Sequence, residues 1–544
     1  MITSLEIENF KAIGSPGVRI DIKPITLLFG PNSSGKSTII QALHYLRHLV
    51  LYETSDLDRT DSRSGELELG GFRRLVHNHD LDRAIRIRIE HTNRATFDLG
   101  LYGYYIDSRD DEESIISSAE NVLEHMLKTI SMEVEVRWSH LKEKSYISAY
   151  RVIVNGHQIA EIIGDPDKNF IRLKAGGFEK AFSEYCTIND TREFLQDIDH
   201  YVAEEIPVGY TQWNALFSNF ERRVIPNPLS KEASWLSPPV GQLDYMGKDV
   251  EQGVFLVLSA LLIGPSLLTW GELKHFLNIG PIREIPPRGL EEITADGELS
   301  WSRGMAAWNS LLRSERTFVN EVSDWLSKKE RLNVGYGLSI QKVLEITDNT
   351  LLNQIMETDD YSVLENIREK LRSTAKKKRL VFTQESTGLE LHPSEVGIGL
   401  SQVLPVVVAA LQRVHKIVAI EQPELHIHPA VQVGLGDLFI YASRDEQPIG
   451  EEGIAFDTPT IFLIETHSEH LMLRLLRRIE ETTDEALPPD ALPLTPDQVS
   501  VNFIKTDPET NRLRLYPLRI DERGEFIDEW PNGFFDERGD ELFR

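Results

Sequence analysis

The sequence predicts an α/β fold of the P-loop type, split by a large, mainly helical insertion. Three observations support this prediction. A glycine-rich loop follows an apolar strand near the start of the chain, a second apolar strand ends in an acid near residue 420, and helical stretches dominate between them. At 544 residues the chain exceeds one simple core, so two or three packed units are expected. The expected parts are residues 1–107, the insertion 108–377, residues 378–498, and a small C-terminal domain 499–544.

The first of these observations is the run Gly30, Pro31, Asn32, Ser33, Ser34, Gly35, Lys36, Ser37 and Thr38, preceded by the apolar strand 25–29. The two glycines let the backbone N–H groups turn inward toward phosphate oxygens. Lys36 is expected to reach the β- and γ-phosphates, and the Ser37 hydroxyl to ligate Mg²⁺. The following helix, to about residue 47, directs its positive end at the same anion. The predicted ligands are therefore ATP and Mg²⁺.

Composition limits the class of protein further. Hydrophobic residues at 41% and charged residues at 26% are typical of a globular protein. No apolar run approaches the roughly 20 residues of a membrane span, and the first residues lack a signal-peptide pattern, so we expect a cytoplasmic protein. Cys186 is the only cysteine, which excludes an internal disulfide and a cysteine-based metal cluster.

The net charge of −28 argues against nucleic-acid binding by the whole surface but leaves a local basic groove open. The best local candidate is the stretch 368–379, which is rich in lysine and arginine. Such a run is either a solvated face or a contact for a polyanion or an acidic partner.

Periodicity along the chain indicates further strands and helices. Strands are expected at 81–91 and 95–105, then helices at 114–130, 250–268 and 304–326, interrupted by strands at 132–138 and 146–154. The sequence contains no internal repeat and no long heptad pattern, so a coiled-coil arm is not expected. After residue 378 the pattern returns to alternating strands and helices.

The second half of the predicted site is the strand 418–421, which ends in Glu421. Its carboxylate is expected to hold Mg²⁺ together with Ser37. Gln422 follows where a catalytic base would be expected; an amide cannot accept a proton but can orient a water. Glu424 is the candidate for the missing carboxylate.

The opening segment 5–11, the phosphate loop and the segment 420–429 together resemble the ABC-type ATPase heads related to RecF, SMC and OLD-family proteins. This resemblance implies that Glu421 is the metal-side acid of the Walker B strand. Gln422 departs from the family's usual catalytic glutamate, which implies slow ATP hydrolysis. The segment 466–468 matches the position of the switch histidine, so His467 is expected at the γ-phosphate; the alternative is a core residue at the end of a strand.

The segment 394–402 resembles a divergent ABC signature motif. The resemblance assigns Gly397, Gly399, Ser401 and Gln402 to the γ-phosphate of a partner subunit. It therefore implies a homodimer with two ATP molecules sandwiched between its heads, and possible higher oligomers; a plain helix-capping turn is the alternative. His77 matches the Q-loop region.

Two further segments, 278–286 and 524–543, resemble the subgroup with the C-terminal domain DUF3696; with the head, the resemblance covers about half the chain. Arg283 within the first is either an ATP-side or dimer-interface arginine, or one half of a structural ion pair. The aromatic run 530–535 is either a plug for the last domain or a docking site. His426 and His428 belong either to a dimer-contact loop or to a metal site, although further ligands are lacking.

ATPases of this build occur in bacterial anti-phage modules, as in the PtuA type of Septu and retron systems, where they work beside an HNH nuclease. The sequence itself carries no recognisable nuclease motif. The leading hypothesis is therefore an ATP-gated sensor or scaffold that controls an effector protein. The alternative is a RecF-like repair or recombination ATPase that acts on DNA directly.

Overall fold

The computed structural model describes residues 1–52, 69–92, 122–165, 170–184, 195–196, 199, 248–286, 298–343, 377–444, 459–507, 509–510 and 512–531. The strands are β1 (Ile2–Glu8), β2 (Val18–Asp21), β3 (Ile25–Phe29), β4 (Ile85–Thr92), β5 (Thr129–Ser139), β6 (Lys144–Val154), β7 (His157–Asp165), β8 (Phe170–Ala175), β9 (Phe276–Ile279), β10 (Tyr336–Val343), β11 (Lys377–Gln384), β12 (Glu390–Leu391), β13 (Ile417–Glu421), β14 (Ile461–Glu465), β15 (Val499–Asp507) and β16 (Arg512–Leu518). The α-helices are α1 (Lys36–Tyr52), α2 (Phe72–Leu75), α3 (Phe178–Phe182), α4 (Lys248–Leu273), α5 (Glu298–Ser302), α6 (Met305–Arg313), α7 (Arg316–Ser327), α8 (Ile398–Leu411), α9 (Pro429–Ala442) and α10 (Glu469–Thr483).

A six-stranded sheet with the order β16-β15-β3-β14-β13-β9 forms the centre of the fold. All its neighbouring strands run parallel except β16, which pairs antiparallel with β15. Because the carboxyl ends of parallel strands meet at one edge, β3, β13 and β14 end side by side. Phe29, Glu421 and Glu465, the last residues of these strands, therefore bring the phosphate loop and two carboxylates to the same edge.

A seven-stranded antiparallel sheet with the order β2-β1-β4-β5-β6-β7-β8 forms a second layer. Alternate residues of β4 are buried, as expected for a sheet with one covered face. The other face carries ion pairs between neighbouring strands, including Arg86 with Glu8 and Glu135 at 2.9 and 2.8 Å. The opposite charges lie across from one another, so they support strand pairing.

Helices α1 and α4 are packed between the two sheets, and α6 to α10 cover the other face of the parallel sheet. The alternation along β13 explains this layering, since successive side chains of a strand point to opposite faces. Ile417 and Ala419 belong to the core beneath α1, whereas Val418 and Ile420 belong to the core beneath α8. The parallel sheet is therefore buried on both faces.

The prediction that residues 108–377 form a mainly helical insertion differs from the structure in two described parts. Strands β5 to β8 continue the antiparallel sheet that β1, β2 and β4 begin, so residue 108 does not separate two domains there. Strand β9 pairs with β13 in the central sheet and belongs to the head. The predicted strands 132–138 and 146–154 lie within β5 and β6. The helix expected at 304–326 is two helices, because Ser314 and Glu315 between them take extended backbone angles.

The structure also differs from the expectation that residues 499–544 form a separate small C-terminal domain. Strand β15 pairs in parallel with β3 over residues 499–503, next to the phosphate loop. An added strand at the edge of a parallel sheet satisfies the backbone groups that β3 would otherwise leave unpaired. Residues 499–518 therefore complete the head.

The expected strand 95–105, most of the helix 114–130, residues 368–376 of the basic run, Cys186, and residues 532–544 lie outside the described residues. Within the described ranges, no helix has both the length and the apolar character needed to cross a bilayer.

Candidate nucleotide-binding site

The phosphate loop connects β3 to α1 with three residues in the left-handed backbone region, Gly30 (φ 151°), Ser33 (φ 61°) and Gly35 (φ 94°). A Cβ on Gly30 would lie 2.1 Å from the backbone oxygen of Ile504 in β15. Glycine is thus required at Gly30 for two reasons, the backbone angle and the close approach of β15. The loop can turn tightly only because neither glycine carries a side chain.

The Lys36 side chain lies at the mouth of this loop and is buried. Its ammonium donates hydrogen bonds to the backbone oxygens of Gly30 (2.9 Å) and Pro31 (3.0 Å) and lies 3.7 Å from Glu465. Burial lowers the pKa of Lys36, and the negative charges of Glu465 and Glu424 oppose that effect. The ammonium is therefore held inside the loop by backbone oxygens, and its contact with the β- and γ-phosphates stays a prediction.

Glu465, the last residue of β14, is a site residue that the sequence reasoning missed. Its carboxylate accepts a hydrogen bond of 2.7 Å from the Ser37 hydroxyl. The signal was present, because Glu465 ends a buried apolar strand in the same way as Glu421. The two strands lie side by side with Glu421 paired to Glu465 in register.

Glu421 lies beside the same hydroxyl and accepts a long hydrogen bond of 3.4 Å from the Asn278 side chain. Burial raises the pKa of Glu421, and the nearby charge of Glu465 raises it further. Two carboxylates and a hydroxyl gathered at one place form an oxygen donor set of the kind that Mg²⁺ prefers. A divalent cation would also relieve the repulsion between the two acids, so Ser37, Glu421 and Glu465 fit a magnesium ion.

Glu424 is fixed by two hydrogen bonds from the segment after β14. One carboxylate oxygen accepts from the Thr466 hydroxyl and the other from the backbone N–H of His467, both at 2.7 Å. Burial raises the pKa of Glu424. The two hydrogen bonds therefore hold the carboxylate in one orientation.

His467 lies next to Glu424, and its pKa is lowered by burial and by the charge of Lys36. The structure therefore brings Lys36, Glu424 and His467 together, although they lie in three separate segments of the chain. Gln422 differs from them: its backbone is left-handed (φ 46°), and its N–H donates to the backbone oxygen of Glu465. Gln422 thereby links the ends of β13 and β14.

The signature-like segment begins α8, with Gly397 preceding the first helical residue. Gly397 and Ile398 are exposed, and a Cβ on Gly399 would lie 2.8 Å from the backbone oxygen of His426. Ser401 and Gln402 are buried inside the chain. The expected contact of their side chains with a partner's nucleotide is therefore not available in this conformation; within 394–402 the exposed residues are Ser394, Glu395, Gly397 and Ile398.

Arg283 is buried as well, and it contacts Gln402 rather than a surface. Its guanidinium donates to the backbone oxygens of Glu421 (2.8 Å) and Gln402 (3.2 Å). Burial lowers the pKa of Arg283 to about 10, against the opposing effect of Glu424 and Glu421. Arg283 is thus a buried cation near Glu421 and Glu424 whose hydrogen bonds are to backbone oxygens, and neither the nucleotide or dimer contact nor the structural ion pair expected from the sequence is decided by these contacts.

Of the three histidines singled out in the sequence, His77 and His428 make structural hydrogen bonds and His426 is exposed. His77 is buried, and its Nδ1 lies 2.7 Å from the backbone oxygen of Lys11, so it supports the turn after β1. The Nδ1 of His428 accepts the Ala430 N–H and caps α9. His426 is exposed, and no cluster of three potential metal ligands occurs among the described histidines, cysteines and acids.

The C-terminal hairpin packs directly against the phosphate loop. The Thr506 hydroxyl donates to the backbone oxygen of Ser34 (3.1 Å), and a Cβ on Gly35 would lie 2.6 Å from the Leu513 side chain. Trp530 packs edge-to-face on Phe29 and Phe503, with ring centroids 5.5 and 6.0 Å apart. For Trp530, the described aromatic residue of the run 530–535, the contacts favour the plug over the docking site.

Comparison with known sequence families gives three matches. Residues 4–207 match the family described as "AAA domain". Residues 293–473 match "AAA domain, putative AbiEii toxin, Type IV TA system", and residues 494–544 match "Protein of unknown function (DUF3696)". No curated protein matches the chain.

Solved structures similar to this chain include heads of SMC proteins. The SmcHead bound to the C-winged helix domain of ScpA is 11% identical, with 96% of this chain and 98% of that chain covered and a TM-score of 0.35. The SMC head domain from Thermotoga maritima is 8% identical, with 95% and 99% covered and a TM-score of 0.35. The Pyrococcus furiosus Smc head with an extended coiled coil, bound to the C-terminal domain of ScpA, is 11% identical, with 95% and 96% covered and a TM-score of 0.34.

The phosphate loop and the acids at the ends of β13 and β14 define a P-loop type of fold. The chain matches AAA-domain families over residues 4–207 and 293–473 and the DUF3696 family over residues 494–544.

Proposed function

We propose that the chain binds ATP together with Mg²⁺ at the edge of the central sheet and hydrolyses it slowly. The observation that carries this proposal is the meeting of Lys36, Ser37, Glu465 and Glu424 around one loop. In this proposal Lys36 contacts the β- and γ-phosphates, while Ser37, Glu421 and Glu465 hold the metal ion, which supplies charge neutralisation at the phosphates.

In the same proposal Glu424 is the general base that activates the attacking water. Its carboxylate is oriented by Thr466 and His467, and its raised pKa favours proton uptake. His467 contacts the γ-phosphate. Gln422 orients the attacking water or links the ends of β13 and β14, since its side-chain amide cannot accept a proton. Because Glu424 lies two residues beyond Gln422, which occupies the usual position of the catalytic glutamate, we expect ATP hydrolysis to be slow.

The proposed working form is a homodimer in which the turn 397–399 of one chain covers the nucleotide of the other. That turn is exposed at the N-terminal end of α8, where a helix favours an anion, and Ile398 is 52% exposed. The test is the mass of the Glu424→Gln variant in solution with ATP. We expect a dimer with ATP and a monomer without it, and Lys36→Ala as a control should stay monomeric in both conditions.

We further propose that ATP-dependent closure of this dimer controls an effector in an anti-phage module, with an HNH nuclease as the leading candidate. The support is the resemblance to PtuA-type ATPases and the toxin–antitoxin wording of the family matched at 293–473. The test is purification of the tagged chain from its native operon, followed by identification of bound proteins. A stoichiometric nuclease supports the proposal; a defence phenotype that survives Lys36→Ala contradicts it.

The second candidate is a RecF-like ATPase that acts on DNA. One observation favours it: Lys377, Lys378 and Arg379 at the start of β11 are exposed on an otherwise acidic protein. This candidate predicts DNA binding that weakens with rising salt and with a Lys377→Glu, Arg379→Glu double substitution. Absence of DNA binding at low salt would remove it.

A further inference from the structure

Backbone hydrogen bonds hold the loop that contains Arg283 against the segment between α5 and α6. The N–H of Gly280 donates to the Ser302 oxygen, and the N–H of Glu284 donates to the Arg303 oxygen. A Cβ on Gly304, which has a φ of 77°, would lie 3.1 Å from the Cβ of Arg283. The absence of a side chain at Gly304 therefore allows the Arg283 loop to approach closely.

On one side Arg283 is tied to the first turns of α8 through Gln402. The Gln402 amide donates to the Arg283 backbone oxygen (2.7 Å) and accepts from the Arg283 N–H (3.3 Å). The guanidinium in turn donates to the Gln402 backbone oxygen (3.2 Å). These three bonds join Arg283 to the N-terminal part of α8.

On its other side the guanidinium donates to the backbone oxygen of Glu421 at 2.8 Å. It also lies near enough to the carboxylates of Glu421 and Glu424 for its charge to favour their ionised forms. Its Nε has no hydrogen-bond partner among the described residues. A buried cation with a donor to spare is costly for stability alone, because burying an unpaired donor carries a penalty.

We propose that Arg283 is a positioning residue that couples the turn at the start of α8 to the acids at the end of β13. When a second chain's nucleotide engages the turn 397–399, the shift of α8 moves Arg283 and thereby sets Glu421 and Glu424 for hydrolysis. Arg283 itself is buried and does not touch the nucleotide. This inference rests on the proposed ATPase function of the head dimer.

The test separates ATP binding from turnover in Arg283→Lys and Gln402→Ala. Arg283→Lys keeps the positive charge but cannot bridge two carbonyls with a planar group. Gln402→Ala removes the side-chain bonds to the Arg283 backbone. We expect both to keep the wild-type Kd for ATP within about threefold while kcat falls by roughly 30- to 100-fold, as for a misplaced catalytic group. Arg303→Ala is the matched control with unchanged kcat, because exposed Arg303, between α5 and α6, pairs with Glu284 next to Arg283.

A double substitution makes the test sharper. If Arg283 acts through Glu424, Arg283→Lys lowers kcat little further when Glu424 is already Gln. Unchanged kcat in both single variants overturns the inference, and so does a loss of ATP affinity and thermal stability in parallel with kcat, which indicates a structural role. A wild-type chain that binds no ATP contradicts the proposed function instead, and this outcome is seen before any variant is made.

Discussion

The Ser37 hydroxyl donates a hydrogen bond of 2.7 Å to the carboxylate of Glu465, across 428 positions of the sequence. This bond joins the first turn of α1 to the end of β14. Glu465 also lies 3.7 Å from the Lys36 ammonium. One carboxylate thus contacts the residue expected to meet the phosphates and the residue expected to meet the metal ion.

Substitution of Glu465 by Gln should weaken the response to Mg²⁺. The amide keeps an acceptor for Ser37 but loses the negative charge that would balance a cation. We expect the Mg²⁺ concentration for half-maximal ATP hydrolysis to rise roughly tenfold, in line with the loss of one ligand interaction. Glu480→Gln, at an exposed position of α10, is the control. Identical Mg²⁺ curves for Glu465→Gln and the wild type would remove Glu465 from the metal site.

Lys36→Ala should reduce ATP affinity by roughly 10- to 100-fold, the range for loss of a hydrogen bond to a charged group. Titration calorimetry with ATP and Mg²⁺ measures the effect. Lys23→Ala provides the control, since the Lys23 ammonium bonds the backbone of Pro496 away from the loop. Equal ATP affinity in Lys36→Ala and the wild type would contradict the predicted phosphate site.

Glu424 and Gln422 can be distinguished by reciprocal substitutions. Glu424→Gln should lower kcat by roughly 100-fold or more, because general-base catalysis contributes about 10²- to 10⁴-fold. Its Kd for ATP should be preserved. Gln422→Glu should change kcat by less than about threefold if Glu424 is the base. A large acceleration by Gln422→Glu would instead assign the base position to residue 422.

Glu135 should make stability depend on pH in the acid range. Burial raises its pKa, but hydrogen bonds from Arg86, Arg137 and Ser148 prevail and lower it to about 2 from its ordinary 4.5. Because the folded-state pKa is depressed, the stabilisation is complete above about pH 4.5 and is lost as the pH falls toward 2. At about 1.4 kcal/mol per pKa unit, the difference between the ordinary and the folded-state pKa of Glu135 corresponds to about 3 kcal/mol in the free energy of unfolding.

The measurement for Glu135 is the free energy of unfolding of the wild type and of Glu135→Gln between pH 7 and pH 3. The difference between the two proteins should shrink as the pH falls below 4.5, since other titrating groups contribute equally to both. A difference that stays constant across this range would show that the Glu135 carboxylate does not titrate as the geometry implies.

Trp530→Ala should lower the free energy of unfolding by about 2 kcal/mol, less than for a fully buried tryptophan because its side chain is only partly covered. The ring packs against Phe29, immediately before the phosphate loop. Ile527→Ala, with 57% of the side chain exposed, should stay within about 0.5 kcal/mol. Equal unfolding midpoints in chemical denaturant for both variants would argue for a docking function of Trp530.

The sequence by itself determined the local parts of this protein. The strand, glycine pattern and helix of the phosphate loop are specified within residues 25–52, because backbone angles and helix start signals act over a few neighbours. The apolar strand that ends in Glu421 can be predicted from the sequence for the same reason. The strands in 132–154 were predicted as well, since alternation of apolar and polar residues is a local pattern.

Only the tertiary structure decided which distant groups meet. Glu465 joins Ser37, Arg283 joins Glu421, and β15 fills the edge beside β3 because strand order in a sheet is set by long-range packing. Helical stretches made 108–377 look like a helical insertion, yet β5 to β8 extend the sheet of β1, β2 and β4, and β9 pairs with β13 far away in the sequence. Burial of Gln402 likewise depends on the Arg283 loop packed over α8, a contact that no local sequence pattern specifies.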